Sequence, residues 1–180
     1  NIDLAASGTA ATARLFFERL GVTPTFVNLD QRTALEQLRT GQIDANVFIG
    51  GKPVQAVSEF RGDGRFRLLP LPYDPRLQDI YFPAEFSNAD YRDLVPPGQT
   101  VETVAVATIL AAYNWPEGSE RYQRLSRFVD AFFSKFDEFS KPGRHPKWQE
   151  VNIAATVPGW RRFKPATDWV ERSTGGAQTA

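Results

Sequence analysis

Apolar and polar positions follow two rhythms along this chain, and the switches between them mark its elements. Asn1-Ile2-Asp3-Leu4 reads as a short strand, Ala5-Ala6-Ser7-Gly8-Thr9 as a small-residue turn. Ala10, Ala13, Phe17 and Leu20 then recur at helical spacing. Ser7 suits the N-cap of that helix and Gly21 the position just past its end. Residues 25–29 are β-prone, and Asp30 can cap a second helix whose stripe Ala34, Leu35 and Leu38 ends at Gly41. Residues 43–49 read as a third strand. Gly50-Gly51-Lys52-Pro53 closes it and opens a helix through about Phe60, with Pro53 at the first helical position. A turn at Arg61-Gly62-Asp63-Gly64 and a short strand at 66–69 follow.

From 70 to 98 the composition shifts to Pro, Asp, Asn and aromatics, the look of a long ordered loop with short extended pieces. Residues 101–113 are apolar on both faces after Glu102, which predicts a buried strand whose end bends or turns helical. The longest helix starts at Ser119 or Glu120. Tyr122, Leu125, Val129, Phe132, Phe136 and Phe139 form its apolar seam. Fewer than three heptads favour core packing over a coiled-coil contact for that seam. Pro142, Pro146 and Pro158 break the remainder, where Trp148, Trp160 and Trp169 staple a tail to the body, and 173–180 is expected to be disordered.

Strands spaced by helices of this length predict βαβ units. The expected fold is α/β, a doubly wound, mostly parallel sheet with core order 2-1-3 and flanking helices. Residues 1–100 would form a ligand-binding α/β lobe, and 101–180 the return strand, long helix and tail.

Composition narrows the function. The chain has 180 residues with Lys plus Arg and Asp plus Glu both at 21, so its formal net charge is zero. That argues against nucleic acid, whose phosphates call for a basic excess. There is no cysteine, hence no disulfide, thiolate chemistry or cysteine metal site. No apolar run approaches the roughly 20 residues that cross a bilayer. The start without Met or signal peptide suggests a processed or trimmed product.

In a 2-1-3 sheet the crevice opens where strands one and three end, at Ser7-Gly8-Thr9 and Gly50-Gly51-Lys52-Pro53. No acidic side chain lies between Leu4 and Phe17. The first turn either only caps its own helix through Ser7, or offers N–H groups and two hydroxyls to a small anion. Lys52 adds a charge there or is a solvated surface lysine. Catalytic readings find little support. His145, the sole histidine, sits in a basic proline-rich turn and reads as a surface or capping residue. Ser7 lacks the preceding glycine of a nucleophile elbow, and no Asp/Glu cluster has metal-ligand spacing. Neither a phosphate-binding nor a dinucleotide-binding glycine motif is present. Arg61-Gly62-Asp63 reads as a chance tripeptide. We expect no enzyme, cofactor or metal.

The strand–Ser7-Gly8-Thr9–helix unit, then Gly41-Gln42-Ile43-Asp44-Ala45, then Gly50-Gly51-x-Pro53, and finally Glu102-Thr103-Val104-Ala105-Val106 resemble the second lobe of a type II periplasmic binding protein. The likeness is to the TAXI family of TRAP-transporter solute receptors, related to the NMT1-like group, over about residues 1–140. It implies a three-layer α/β sandwich whose cleft closes on an amino acid or carboxylate, with Ser7, Gly8, Thr9, Gly50 and Gly51 at the cleft and Thr103 and Val104 near the hinge. The family's first lobe has no counterpart here, and 157–163 matches its C-terminal pattern poorly. The expected function is an extracytoplasmic receptor, periplasmic or membrane-anchored, that hands its solute to a TRAP permease. The alternatives are a ligand-sensing domain of a transcriptional regulator and an NMT1-like biosynthetic enzyme.

Overall fold

A computed structural model describes residues 1–175, and the chain divides into two units, one from Asn1 to Val106 and one from Ala107 onward. The return strand therefore belongs with the first unit.

Two helices open the first unit, and both form where caps dictate. Helix α1 (Gly8–Leu20) starts at Ser7, whose hydroxyl accepts from Ala10 N, and stops at Gly21 in the left-handed region at φ 69°. Helix α2 (Gln31–Thr40) is capped by Asp30, which accepts from Arg32 N and Thr33 N, and ends at Gly41. Helix α3 (Gln55–Ser58) is one turn long with no side-chain cap. Its N-cap is Val54, so Pro53 precedes the helix instead of opening it. Strands β1 (Tyr81–Ser87) and β2 (Thr100–Val106) pair antiparallel, with Glu85 opposite Glu102 and Ala84 opposite Thr103.

This ribbon is the only sheet among the described residues, so the expected doubly wound parallel sheet and its three-layer sandwich are overturned. The physical reason is local. Residues 1–2, 27 and 45–47 do lie side by side: Asn1 N donates to Ala45 O at 2.6 Å, Val47 N to Asn1 O at 2.9 Å and Ile2 N to Val27 O at 3.1 Å. The first two bonds are one rung of a parallel pair. The ladder stops there, because Asp3 takes a left-handed conformation at φ 68° and turns the chain away. Side-chain amides then bind groups that neighbouring strands would share. Asn1 Oδ1 accepts from Leu29 N, Asn28 Nδ2 donates to Asp3 O, and Gln31 Nε2 donates to Val47 O.

The loop expected over 70–98 holds β1 and a 3₁₀ turn at Pro75–Leu77. The ribbon feeds two of the unit's three small cores. Tyr81 and Val104 pack with Phe16 and Leu77, while Phe86 and Val101 pack with Val57, Tyr91 and Val95. In the third, Ala10 and Ala13 of α1 are buried against Ile2, with Phe17, Phe26 and Val47 around them. The Arg61-Gly62-Asp63 stretch is held against the body, since Arg61 pairs with Asp93 at 2.7 Å and a Cβ on Gly62 would stand 3.0 Å from the Asp93 carbonyl.

The second unit is helical. Helix α4 (Glu120–Ser134) is capped by Ser119, whose hydroxyl accepts from Tyr122 N. It ends before Phe136 and Phe139, which fall in a 3₁₀ segment at Phe136–Ser140. Helix α5 (Lys164–Gly175) meets α4 through Trp169 edge-on to Phe133 at 5.1 Å. Trp148 stacks on Phe139 at 4.6 Å, whereas Trp160 is largely exposed. β2 ends at Val106, and 107–113 is neither strand nor helix, with Leu110 and Tyr113 exposed. Residues 173–175 belong to α5, and the rest of the segment expected to be disordered lies outside the described residues.

Candidate functional site

The start of α1 combines an anchored helix with an open turn. Ala10 and Ala13 have no side-chain bulk beyond Cβ, so the helix backbone lies close to Ile2 and the turn is held to the body. Ser7 Oγ lies 3.0 Å from Ala10 N, and Ser7 N donates to Leu4 O at 2.9 Å. Ser7 is thus a working cap. That hydroxyl answers one of the helix's orphan N–H groups, and the N–H groups of Gly8 and Thr9 have no partner among the described residues. Gly8 is exposed, and a Cβ there would meet nothing within 4 Å. The first turn contains no acid. Free N–H groups, the positive helix end and open space beside glycine together suit a small anion.

The 50–54 stretch looks alike in sequence and differs in structure. Gly50 and Gly51 are exposed, but the one-turn α3 has no long helix end behind it. Lys52 is half-buried. Its Nζ donates to the Glu85 carbonyl at 3.1 Å and lies 3.7 Å from Asp90 Oδ2. Asp90 also accepts from Ser87 N at 2.8 Å and Ser87 Oγ at 2.9 Å. Partial burial opposes ionisation of Asp90, yet the Ser87 hydrogen bonds and the Lys52 ammonium outweigh it and hold the carboxyl below its ordinary range. Val54 N donates to the Tyr91 hydroxyl at 2.9 Å, and burial pushes that phenol up.

Thr103 and Val104 sit on β2. Thr103 is buried opposite Ala84, and Val104 packs in the Phe16–Leu77–Tyr81 core. Thr103, Glu102, Ala84, Glu85, Pro83 and Tyr73 line an open depression of about 340 Å³. The Glu102 carbonyl accepts from Leu71 N and the Glu85 carbonyl from Lys52, so both point away from the ribbon partner. That outward direction makes Glu85 and Glu102 a non-hydrogen-bonded pair, the closer of the two pair types, with both carboxylates on one face. The depression is acidic.

The structure therefore brings Lys52 and Thr103 to adjoining positions of β1, Glu85 and Ala84. Ser7, Gly8 and Thr9 belong to the separate cluster around Ile2, Ala10 and Ala13. With the parallel sheet gone, the switch-point argument that placed both turns on one crevice loses its basis. Asp90, Tyr91 and Glu85 escaped the sequence reading because the Pro, Asp, Asn and aromatic content of 70–98 reads as one long loop. The apolar positions Phe82, Ala84 and Phe86, alternating with Pro83 and Glu85, were the signal that could have found β1.

His145 Nδ1 accepts from Lys147 N, which caps the 3₁₀ turn at Pro146–Glu150. Among the described residues, no cluster of three or more His, Cys, Asp or Glu is placed to hold a metal ion, and no helix is long and apolar enough to cross a membrane. No family model matches the chain, and no solved structure matches it.

Proposed function

We propose that this chain supplies one wall of a binding site for a small anionic solute, an amino acid or carboxylate, within a TAXI-like receptor that passes the solute to a TRAP-type membrane permease. The observation that carries this reading is the start of α1, where the N–H groups of Gly8 and Thr9 have no partner among the described residues, a Cβ on Gly8 would meet nothing within 4 Å, and the first turn holds no acid. Ser7 and Thr9 supply hydroxyls beside them. Nothing in such a site performs chemistry. It holds a carboxylate by oriented N–H groups, and release requires only that the opposing surface withdraw.

The test is a thermal-shift screen of amino acids and carboxylates on the wild-type chain and on Gly8→Ala and Ser7→Ala/Thr9→Val. A ligand at a hundredfold excess over its dissociation constant stabilises by about 2.7 kcal/mol. We expect a hit whose shift is lost in both variants. A hit that shifts all three proteins equally removes the turn from the site, and the absence of any hit removes the reading.

A further inference from the structure

Three features lie outside the solute site at α1. The Glu85–Glu102 pair is an acidic cluster with no observation to say what it binds. The depression of about 460 Å³ between α2 and α3, where Arg39 lies over Phe60 at 4.4 Å, has no indicated occupant. The end of the second unit around the first turn of α4 is different, because exposed apolar side chains meet an excess of cations there. Leu110, Tyr113 and Trp160 are 73%, 72% and 59% exposed, the three most exposed large apolar side chains among the described residues.

We propose that this end of the second unit docks on an anionic lipid surface, with Tyr113 and Trp160 entering the headgroup layer beside Arg121 and Arg161. Charge selects that partner. The chain's zero net charge conceals a division: residues 1–106 hold 10 Lys and Arg against 13 Asp and Glu, net −3, and residues 107–180 hold 11 against 8, net +3. Around the first turn of α4, Arg121, Arg124, Arg161, Arg162 and Lys164 stand against Glu117, Glu120 and Asp168. Glu120 is taken up by Arg124 at 2.5 Å and Asp168 by Lys164 at 2.9 Å. The remaining balance is three arginines to one glutamate. Tyr and Trp carry an apolar body and a polar tip, which suits the headgroup layer, and cations beside them are drawn to an anionic leaflet. A purely electrostatic partner would use the cations alone and leave the apolar side chains in water.

Both aromatic segments are held at that end of α4. Arg121 lies over the Trp115 ring at 4.4 Å, and Trp115 packs with Tyr113 at 4.6 Å. Tyr122, the next residue of the helix, meets Phe163 edge-on at 4.9 Å. Trp160 closes a β-turn: its N–H donates to Val157 O at 3.1 Å, and Gly159 takes the left-handed φ of 80° at the third position. Arg162 braces the approach to that turn by donating to Ile153 O at 2.6 Å and to Ala155 O. A tryptophan on a braced turn loses less backbone freedom on insertion, so more of its burial is expressed as binding. The proposal is independent of the solute site at α1.

The test is cosedimentation of the whole chain with vesicles of phosphatidylcholine and phosphatidylglycerol in equal parts, and with phosphatidylcholine alone. The wild type should partition onto the mixed vesicles, less so as salt rises, and stay free of the neutral ones. Trp160→Ala should weaken partitioning roughly tenfold through lost apolar burial. Arg161→Gln should weaken it roughly fivefold, the effect of one cation near an anionic surface. Leu69→Ala removes a side chain of similar exposure, 57%, from the acidic first unit and should leave partitioning unchanged. All three positions are exposed, so each variant should fold, and circular dichroism with melting temperature checks that it does. Absence of wild-type partitioning, equal partitioning onto both kinds of vesicle, or equal losses in Trp160→Ala and Leu69→Ala overturns the proposal. Each of these outcomes leaves the solute site at α1 to be decided by its own thermal-shift screen.

Discussion

Ser7-Gly8-Thr9 and Gly50-Gly51-Lys52 are both small-residue turns that follow an extended segment, yet they have become different devices. The first opens a long helix, is capped by its own serine and leaves glycine in open space. The second opens a single helical turn, and its cation and its Val54 N–H are both held by the 85–91 region. The difference teaches that glycine content alone does not make an anion site. What matters is whether the N–H groups and charges beside the glycine already have partners.

The comparison can be broken at the tether. Tyr91→Phe removes the acceptor of Val54 N and should lower stability by about 1–3 kcal/mol, the penalty for an orphaned, partly buried donor. Denaturant midpoints measure it, and a change below a few tenths would mean that the turn is held elsewhere. Ser7→Ala comes next, with an expected loss of about 1 kcal/mol for an N-cap hydroxyl. A loss appearing without fraying at residues 8–11, in hydrogen exchange, would contradict the cap.

Two glycine substitutions sharpen the contrast. Gly8→Ala places a methyl in open space at a helix start and should raise stability by up to about 0.5–1 kcal/mol while blocking solute approach. Gly50→Ala puts its Cβ 3.1 Å from Val54 Cγ2, a side chain packed in the Val57–Tyr91–Val95 core, and should show no such gain. Equal melting shifts in the two variants would erase the distinction.

Acid gives the smallest effect. Asp90 titrates below its unfolded value, so its contribution is fully present above the ordinary aspartate range of about 3.9 and is lost as pH falls through the lower folded value. Amide signals of Lys52 and Val54 should therefore move in that acid window, while those of Ser7 to Ala10, whose cap is a hydroxyl, should not.

Helices were far more legible in the sequence than sheet. Ser7, Asp30 and Ser119 each announced a helix and each caps one, since an N-cap is a local rule with a short reach. The sheet is a long-range bargain between segments, and local chemistry undid it. Asp3 in a left-handed turn and the amides of Asn1, Asn28 and Gln31 interrupt a ladder that the β-prone runs at 25–29 and 43–49 had suggested. The strand that does form, β1, carries Pro83 at a position whose backbone faces away from β2, where a missing N–H breaks no rung. At the candidate site, the spacing of Ser7, Gly8 and Thr9 pointed to an open helix start. Nothing local to Lys52 disclosed its partner, because Asp90 lies far along the chain.

The account depends most on the claim that a solute carboxylate rests on the first helical N–H groups of α1. Titration of the isotope-labelled chain with L-glutamine, followed amide by amide, tests it most directly. The prediction is a saturable downfield movement of the Gly8 and Thr9 signals, absent in Gly8→Ala. Saturable binding that leaves those two signals in place would contradict it.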